Sequence, residues 1–182
     1  MPRLTPYPHD KATGGRKELM DAVKQQFGGV INMFGTVAHS PAALESMLGS
    51  FAALGKGRLG PALGEQIAVA VANANGCEYC LSAHTVLGKK AGVSAEAMEE
   101  ARQGRSADPR SQAAIAFALK VVETRAHIET RDLEDLRAAG FDDEEIVEIV
   151  AHVALNLFTN YVNVAFDVDV DFPSVKPRQA AA

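Results

Sequence analysis

Cysteine is scarce in this chain: two residues in 182. That excludes a small fold held together by several disulfides. Positive charge is not in excess either. Eighteen lysines and arginines face 23 acids, for a formal net charge of -5. No basic patch stands out to neutralise phosphates, so nucleic acid is not expected as a partner. No apolar run approaches the length of a membrane span, so no membrane is expected. The opening "MPRLTPYPHDKATGG" has no apolar h-region of a secretory leader. The resulting expectation is a cytoplasmic protein. In that compartment two closely spaced cysteines are more often catalytic or metal-binding than structural. A domain-scale linker is missing as well. The whole of 1–182 reads as a single domain, with an N-terminal arm over 1–15 and an extended tail over 168–182, where Pro173 and Pro177 bar a helix.

Helix signals fill the rest. In "HSPAALESMLGSFAALG" Ser40 is placed to cap and Pro41 to open a helix. Asp108 and Pro109 repeat the device. Ser94 caps a short helix that stops at Gly104, and another runs from Thr130 to Gly140. Asp142 stands three residues before Glu145, a capping-box start. Behind it Ile146, Ile149, Val150, Val153, Leu157 and Tyr161 recur at helical spacing. Being apolar around much of its circumference, this helix reads as the central one.

"EQIAVAVANANG" (65–76) alternates in part and could be a strand. Two points favour helix. No other stretch reads as a good strand, and one strand cannot make a sheet. The segment also has a partner. A shift of 79 residues sets "IAVAVANANGCEYCLSAH" on "IVEIVAHVALNLFTNYVN", which is plainly helical. The weak repeat suggests two related helical units. Asn156, Thr159 and Asn163 of the second stand where Cys77, Cys80 and His84 stand in the first. The fold class expected is all-α, built of packed helical hairpins.

The cysteines lie in "NANGCEYCLSAH". Gly76 suits the stop of one helix, which puts Cys77 in the first turn of the next. There the helix dipole and free N–H groups favour a thiolate. Cys77 and Cys80 share a face and can form a disulfide. His84, four residues on, lies over the same face and can take the thiol proton. In an antiparallel hairpin about Gly76, Glu65 faces the chain about one turn beyond His84, where its carboxylate can orient the imidazole. Two other readings stay open. The thiols could be small buried residues of an ordinary helix. Cys77, Cys80, His84 and Glu65 could also ligate a metal, although a structural zinc site usually brings a second CxxC or a spaced histidine pair. The remaining histidines, His9, His39, His127 and His152, read as surface or structural.

The pattern E-x11-C-E-Y-C-x3-H resembles the alkylhydroperoxidase D (AhpD-like) family within the carboxymuconolactone decarboxylase superfamily. The likeness covers about 40–166, and the ending "NLFTNYVNVAFDVDVDFP" looks like its peroxidase-related branch. The resemblance implies a thiol-dependent peroxidase. Cys80 would attack the hydroperoxide substrate and Cys77 would resolve the sulfenic acid to a disulfide, with Glu65 and His84 as the proton relay. It implies no cofactor, a dithiol reductant such as a lipoyl or thioredoxin-like protein, and a homo-oligomer, trimer or hexamer. One position departs from the well-studied members, which carry histidine just before the second cysteine. Tyr79 stands there, a poor base at neutral pH that could donate a hydrogen bond to a peroxide oxygen. The alternatives are a thiol–disulfide oxidoreductase or redox sensor without a useful peroxide rate, and a non-redox helical binding or assembly protein.

Overall fold

The computed structural model describes residues 1–178. The expected tail continues to 182, and its last four residues lie outside the described part. Among the described residues there are nine α-helices and no strand. They are α1 (Gly14–Phe27), α2 (Asn32–Val37), α3 (Pro41–Leu54), α4 (Gly60–Ala74), α5 (Glu78–Lys90), α6 (Ala95–Arg102), α7 (Pro109–Glu123), α8 (Thr130–Ala138) and α9 (Asp143–Phe166).

The helix starts follow from their caps. Ser40, Ser94 and Asp108 each accept the backbone N–H of the residue three further on, satisfying a donor the helix itself leaves free. Asp142 and Glu145 form a reciprocal capping box at the head of α9. Segment 65–76 is helical, within and just after α4.

The central helix is α4, not α9. Ile67 to Ala72 are all buried, and α5, α6, α7 and α9 pack around them. Alternating Ala and Val or Ile explains this. Small residues let neighbouring backbones come close, while the branched ones fill the gaps between them. Helix α9 instead leaves Val147, Val150 and Tyr161 exposed on its outer side. Its apolar circumference reflects two different faces, one packed inward and one not covered by this chain. It is also long and apolar enough to cross a membrane, with 24 residues and a mean hydropathy of 1.3 over its best window. However, Glu145, Asn156, Thr159, Asn160 and Asn163 are buried along it, the pattern of a helix packed into a folded domain.

Gly76 turns the chain between α4 and α5. Its φ is +64°, a conformation glycine adopts without a Cβ penalty. The N–H of Cys77 then reaches back to the carbonyl of Ala72 at 2.9 Å. In the second repeat unit Leu155 occupies the glycine position. No turn forms there, and α9 runs on as one continuous helix where the first unit folds into a hairpin.

Beyond Asp167 the chain doubles back as an extended strap along α5. The N–H of Val175 donates to Ser82 Oγ at 2.9 Å, Ser174 Oγ to Glu78 at 2.7 Å, and the N–H of Arg178 to Asn73 at 2.9 Å. The N-terminal segment joins it, with the N–H of Arg3 on the Phe166 carbonyl at 2.7 Å.

Candidate active site

Cys77 is the N-cap of α5, one step earlier than the first-turn position expected from the sequence, and Cys80 sits in the first turn at N3. Their Cα atoms are 5.4 Å apart and the two sulfurs form a disulfide. Each sulfur has one donor. The N–H of Cys80 points at Cys77 Sγ at 3.2 Å, as an N-cap side chain requires. Asn163 Nδ2 points at Cys80 Sγ at 3.3 Å. With the bond reduced, both donors and the N-terminal end of α5 favour thiolate over thiol.

Glu65 on α4 and His84 on α5 meet across the hairpin. Oε2 and Nδ1 are 2.7 Å apart. The carboxylate can only accept, so Nδ1 carries the hydrogen of this contact, and in the neutral imidazole Nε2 keeps its lone pair. Both side chains are about one-fifth exposed or less. Together with Cys80 they line a cavity of about 460 Å³. Phe27, Phe34, Phe51 and Phe172 supply much of its wall, so the sulfur, the imidazole and the carboxylate stand in an apolar chamber.

Tyr79 is buried beside Cys80, and its hydroxyl is committed elsewhere. It donates to Asp171 Oδ2 of the strap at 2.6 Å, and its ring packs edge-on against Phe172. Burial pushes the phenol far above its usual range, and the Asp171 carboxylate pushes it further. Its one proton is therefore not free for a peroxide oxygen. In this structure Tyr79 anchors the strap and forms part of the wall.

Three groups of the site carry no signal that sequence reasoning used. Asn163 holds Cys80, and its Oδ1 is buried without a partner. The repeat aligns it with His84 and leaves its role open. Asp171 and Phe172 come from the tail, where only an extended path was legible. His152, read as surface or structural, belongs to the site's surroundings. It shares with Glu65 and His84 a smaller cavity of about 250 Å³, together with Asn156 and Thr159. Its ring packs over Gly64, where a Cβ would lie 3.4 Å from His152 Cε1, about van der Waals contact. Burial holds this imidazole below its usual range, and the charges of Glu148 and Glu65 oppose that in part. Asn156, Thr159 and Asn163 thus converge on the chemistry of the first repeat unit, although they carry no thiol themselves. Among the described residues no cluster of His, Cys, Asp and Glu is arranged for a metal ion.

A family model for the carboxymuconolactone decarboxylase family matches residues 41–124, which include both cysteines, Glu65 and His84. No curated protein matches the chain. Among solved structures, a peroxidase-related protein from Ralstonia eutropha JMP134, described as an alkylhydroperoxidase AhpD core, is 26% identical with a TM-score of 0.81. The match covers 92% of this chain and 93% of that one. A peroxidase-related protein from Silicibacter sp. TM1040 is 26% identical, with a TM-score of 0.75, covering 84% and 83% of the two chains. The debrominase Bmp8, also solved as a cysteine-to-alanine variant in complex with 2,3,4-tribromopyrrole, shares the fold at 23% identity, a TM-score of 0.77 and coverage of 92% and 91%. The family match over residues 41–124 and the all-helical fold shared with the AhpD core support assigning the chain, with its Glu, Cys, Cys and His on one hairpin, to the AhpD-like group of the carboxymuconolactone decarboxylase superfamily.

Proposed function

We propose that this protein is a thiol-dependent peroxidase that reduces hydrogen peroxide or organic hydroperoxides, with electrons from a dithiol donor. The observation that carries the proposal is the shared cavity: Cys80, His84 and Glu65 line one apolar chamber, with the carboxylate 2.7 Å from the imidazole. Cys80 thiolate attacks the distal oxygen of ROOH. The O–O bond breaks, the alkoxide takes a proton and leaves as ROH, and Cys80 becomes a sulfenic acid. Cys77 then displaces water and the disulfide closes. Imidazole Nε2 takes the Cys80 proton before attack and returns one to the leaving oxygen, while Glu65 holds the ring in that tautomer. The donor dithiol, a lipoyl or thioredoxin-like protein, resets the pair, which suits a reducing cytoplasm.

The test is hydroperoxide consumption with dithiothreitol as reductant. The expected result is catalytic turnover of cumene hydroperoxide that needs both cysteines. Turnover of disulfides without turnover of peroxide would move the reading to thiol–disulfide exchange. A second reading has one observation in its favour, the ring of phenylalanines around Cys80. A dithiol facing a flat aromatic halide can supply the two electrons of reductive debromination, in which ArBr and two thiols give ArH, a disulfide and HBr. Bromide release from 2,3,4-tribromopyrrole under the same conditions distinguishes the two.

The outer face of α9 supports a homo-oligomer. Val147, Val150, Ala154, Tyr161 and Val164 are exposed there and recur at three, four and seven residues, the spacing of one helix face. We propose that a second copy of the chain covers it, in a trimer or hexamer.

A further inference from the structure

We infer that the dithiol is served from two sides, hydroperoxide reaching Cys80 through the apolar cavity and the reductant reaching Cys77 through a separate polar one. The inference rests on the peroxidase reading for the first half only. Cys80 lines the chamber with Glu65, His84 and the phenylalanines, and Cys77 does not. Cys77 lines a different cavity of about 440 Å³, with Arg3, Glu78, Asp167 and Asp169, and Cys80 does not. The disulfide therefore bridges the partition between them. Tyr79 and Asn163 are the residues common to both walls.

The chemistry fits this division. A donor thiolate attacks Cys77 Sγ, the Cys77–Cys80 bond breaks, and Cys80 leaves with the electron pair. Exchange favours the sulfur whose thiolate is better held as the leaving group. Cys80 has the Asn163 amide at 3.3 Å, a first-turn position on α5 and the His84 relay on its own side. The peroxide-reactive thiolate is thereby regenerated where the peroxide arrives. The donor's second thiol gives its proton to solvent and attacks the mixed disulfide at the donor sulfur. Cys77 leaves as thiolate under the N–H of Cys80 and takes up a proton. The donor ends as a disulfide and the protein as a dithiol, two electrons transferred.

The polar mouth also limits the donor. Cys77 is 1% exposed, so only a thiol on a slender arm reaches it. The Arg3 guanidinium is engaged with the carbonyls of Val164 and Ala165, and Glu78 is paired with Lys176. Asp167 and Asp169 have no ion pair among the described residues and leave the mouth acidic. A neutral or cationic thiol arm suits it, and an anionic one does not.

The test separates the half-reactions. The oxidised protein is mixed with cysteamine, 2-mercaptoethanol or 2-mercaptoethanesulfonate, quenched in acid, alkylated and mapped by mass spectrometry. The expected product carries the added thiol on Cys77 and the alkyl group on Cys80. Cysteamine should react faster than the sulfonate by about fourfold at low salt, the scale of a two-charge difference about 10 Å from one net charge in water. Asp169→Trp should slow reduction by dithiothreitol by at least about tenfold through lost access, while the reduced variant reacts with cumene hydroperoxide as the parent does. Val86→Trp, in the wall of the apolar cavity, should do the reverse. Circular dichroism confirms that each variant is folded, and the mapping of the unaltered protein does not depend on them. Added thiol on Cys80, or one substitution slowing both half-reactions alike, overturns the two-sided arrangement. Failure of every form to react with hydroperoxide would refute the peroxidase reading and leave the mapping on Cys77 to decide the reductant's side.

Discussion

At the scale of single residues, the account rests on who holds which proton. Glu65 fixes the tautomer of His84, so Glu65→Gln should keep the fold and lower the peroxide step. His84→Gln removes the base itself, and the expected loss is about 10²-fold or more, the usual range for a positioned acid–base group. Stopped-time sulfenic-acid labelling at several pH values checks both. Asn163→Ala removes the side-chain donor to Cys80 and should raise the Cys80 thiol pKa, read by alkylation rate against pH. His152 gives a stability signature. Its imidazole is held below its usual range, so the unfolded chain binds more protons than the folded one just below the unfolded value, near pH ~6.5. Stability should fall as pH drops through that window, and His152→Gln should flatten the slope in thermal melts run from pH 7.5 to 5.5. Glu65, Cys77, Cys80 and His84 were legible in the sequence because hairpin geometry about Gly76 and helical spacing bring them together. Asn163 and His152 were not. An amide with no neighbouring charge has no motif, and a lone histidine on an apolar face looks the same whether it is a filler or faces a cavity.

At the scale of elements, the helices with strong caps were readable to within a residue or two. Ser40→Ala should cost about 0.5–2 kcal/mol, the usual price of a lost N-cap, and lower the melting temperature by a few degrees in differential scanning calorimetry. Helices α1 and α2 were not anticipated. The first is mostly polar with only Met20 and Val23 buried, and the second has six residues and a buried face on nearly all of them. Neither presents a long periodic stripe. The placement of α9 at the centre failed for a physical reason. Periodicity reports that a face is apolar and says nothing of what covers it. The strap was readable as extended from its prolines, while its partners on α5 are contacts of residues far apart in sequence. Asp171→Ala frees the Tyr79 hydroxyl. Limited proteolysis should then cut the strap after residue 167 more readily than in the parent.

At the scale of the whole molecule, α4 organises the packing, the α4–α5 hairpin carries the thiols, and α9 presses a polar row against them from the opposite repeat unit. All-helical architecture and the hairpin organisation were accessible from the sequence, since the repeat and the caps agree. The two cavities on either side of the disulfide were not, because they arise where α5, α9 and both chain termini meet. The uncovered seam of α9 predicts association of copies. Val147→Glu with Tyr161→Glu should shift the mass in multi-angle light scattering toward the monomer without changing the helical signal. A parent protein that is already a monomer would contradict this.

The central claim is that Cys80, supported by His84, is the atom that meets the peroxide. Reduced Cys77→Ser protein, given one equivalent of hydroperoxide and a sulfenic-acid trap, tests it most directly by mass spectrometry, with Cys80→Ser in parallel. The account predicts label on Cys80 at low peroxide, little on Cys77 in the companion variant, and loss of the Cys80 label when His84 is glutamine. Label on neither cysteine, or on Cys77 alone, would contradict it.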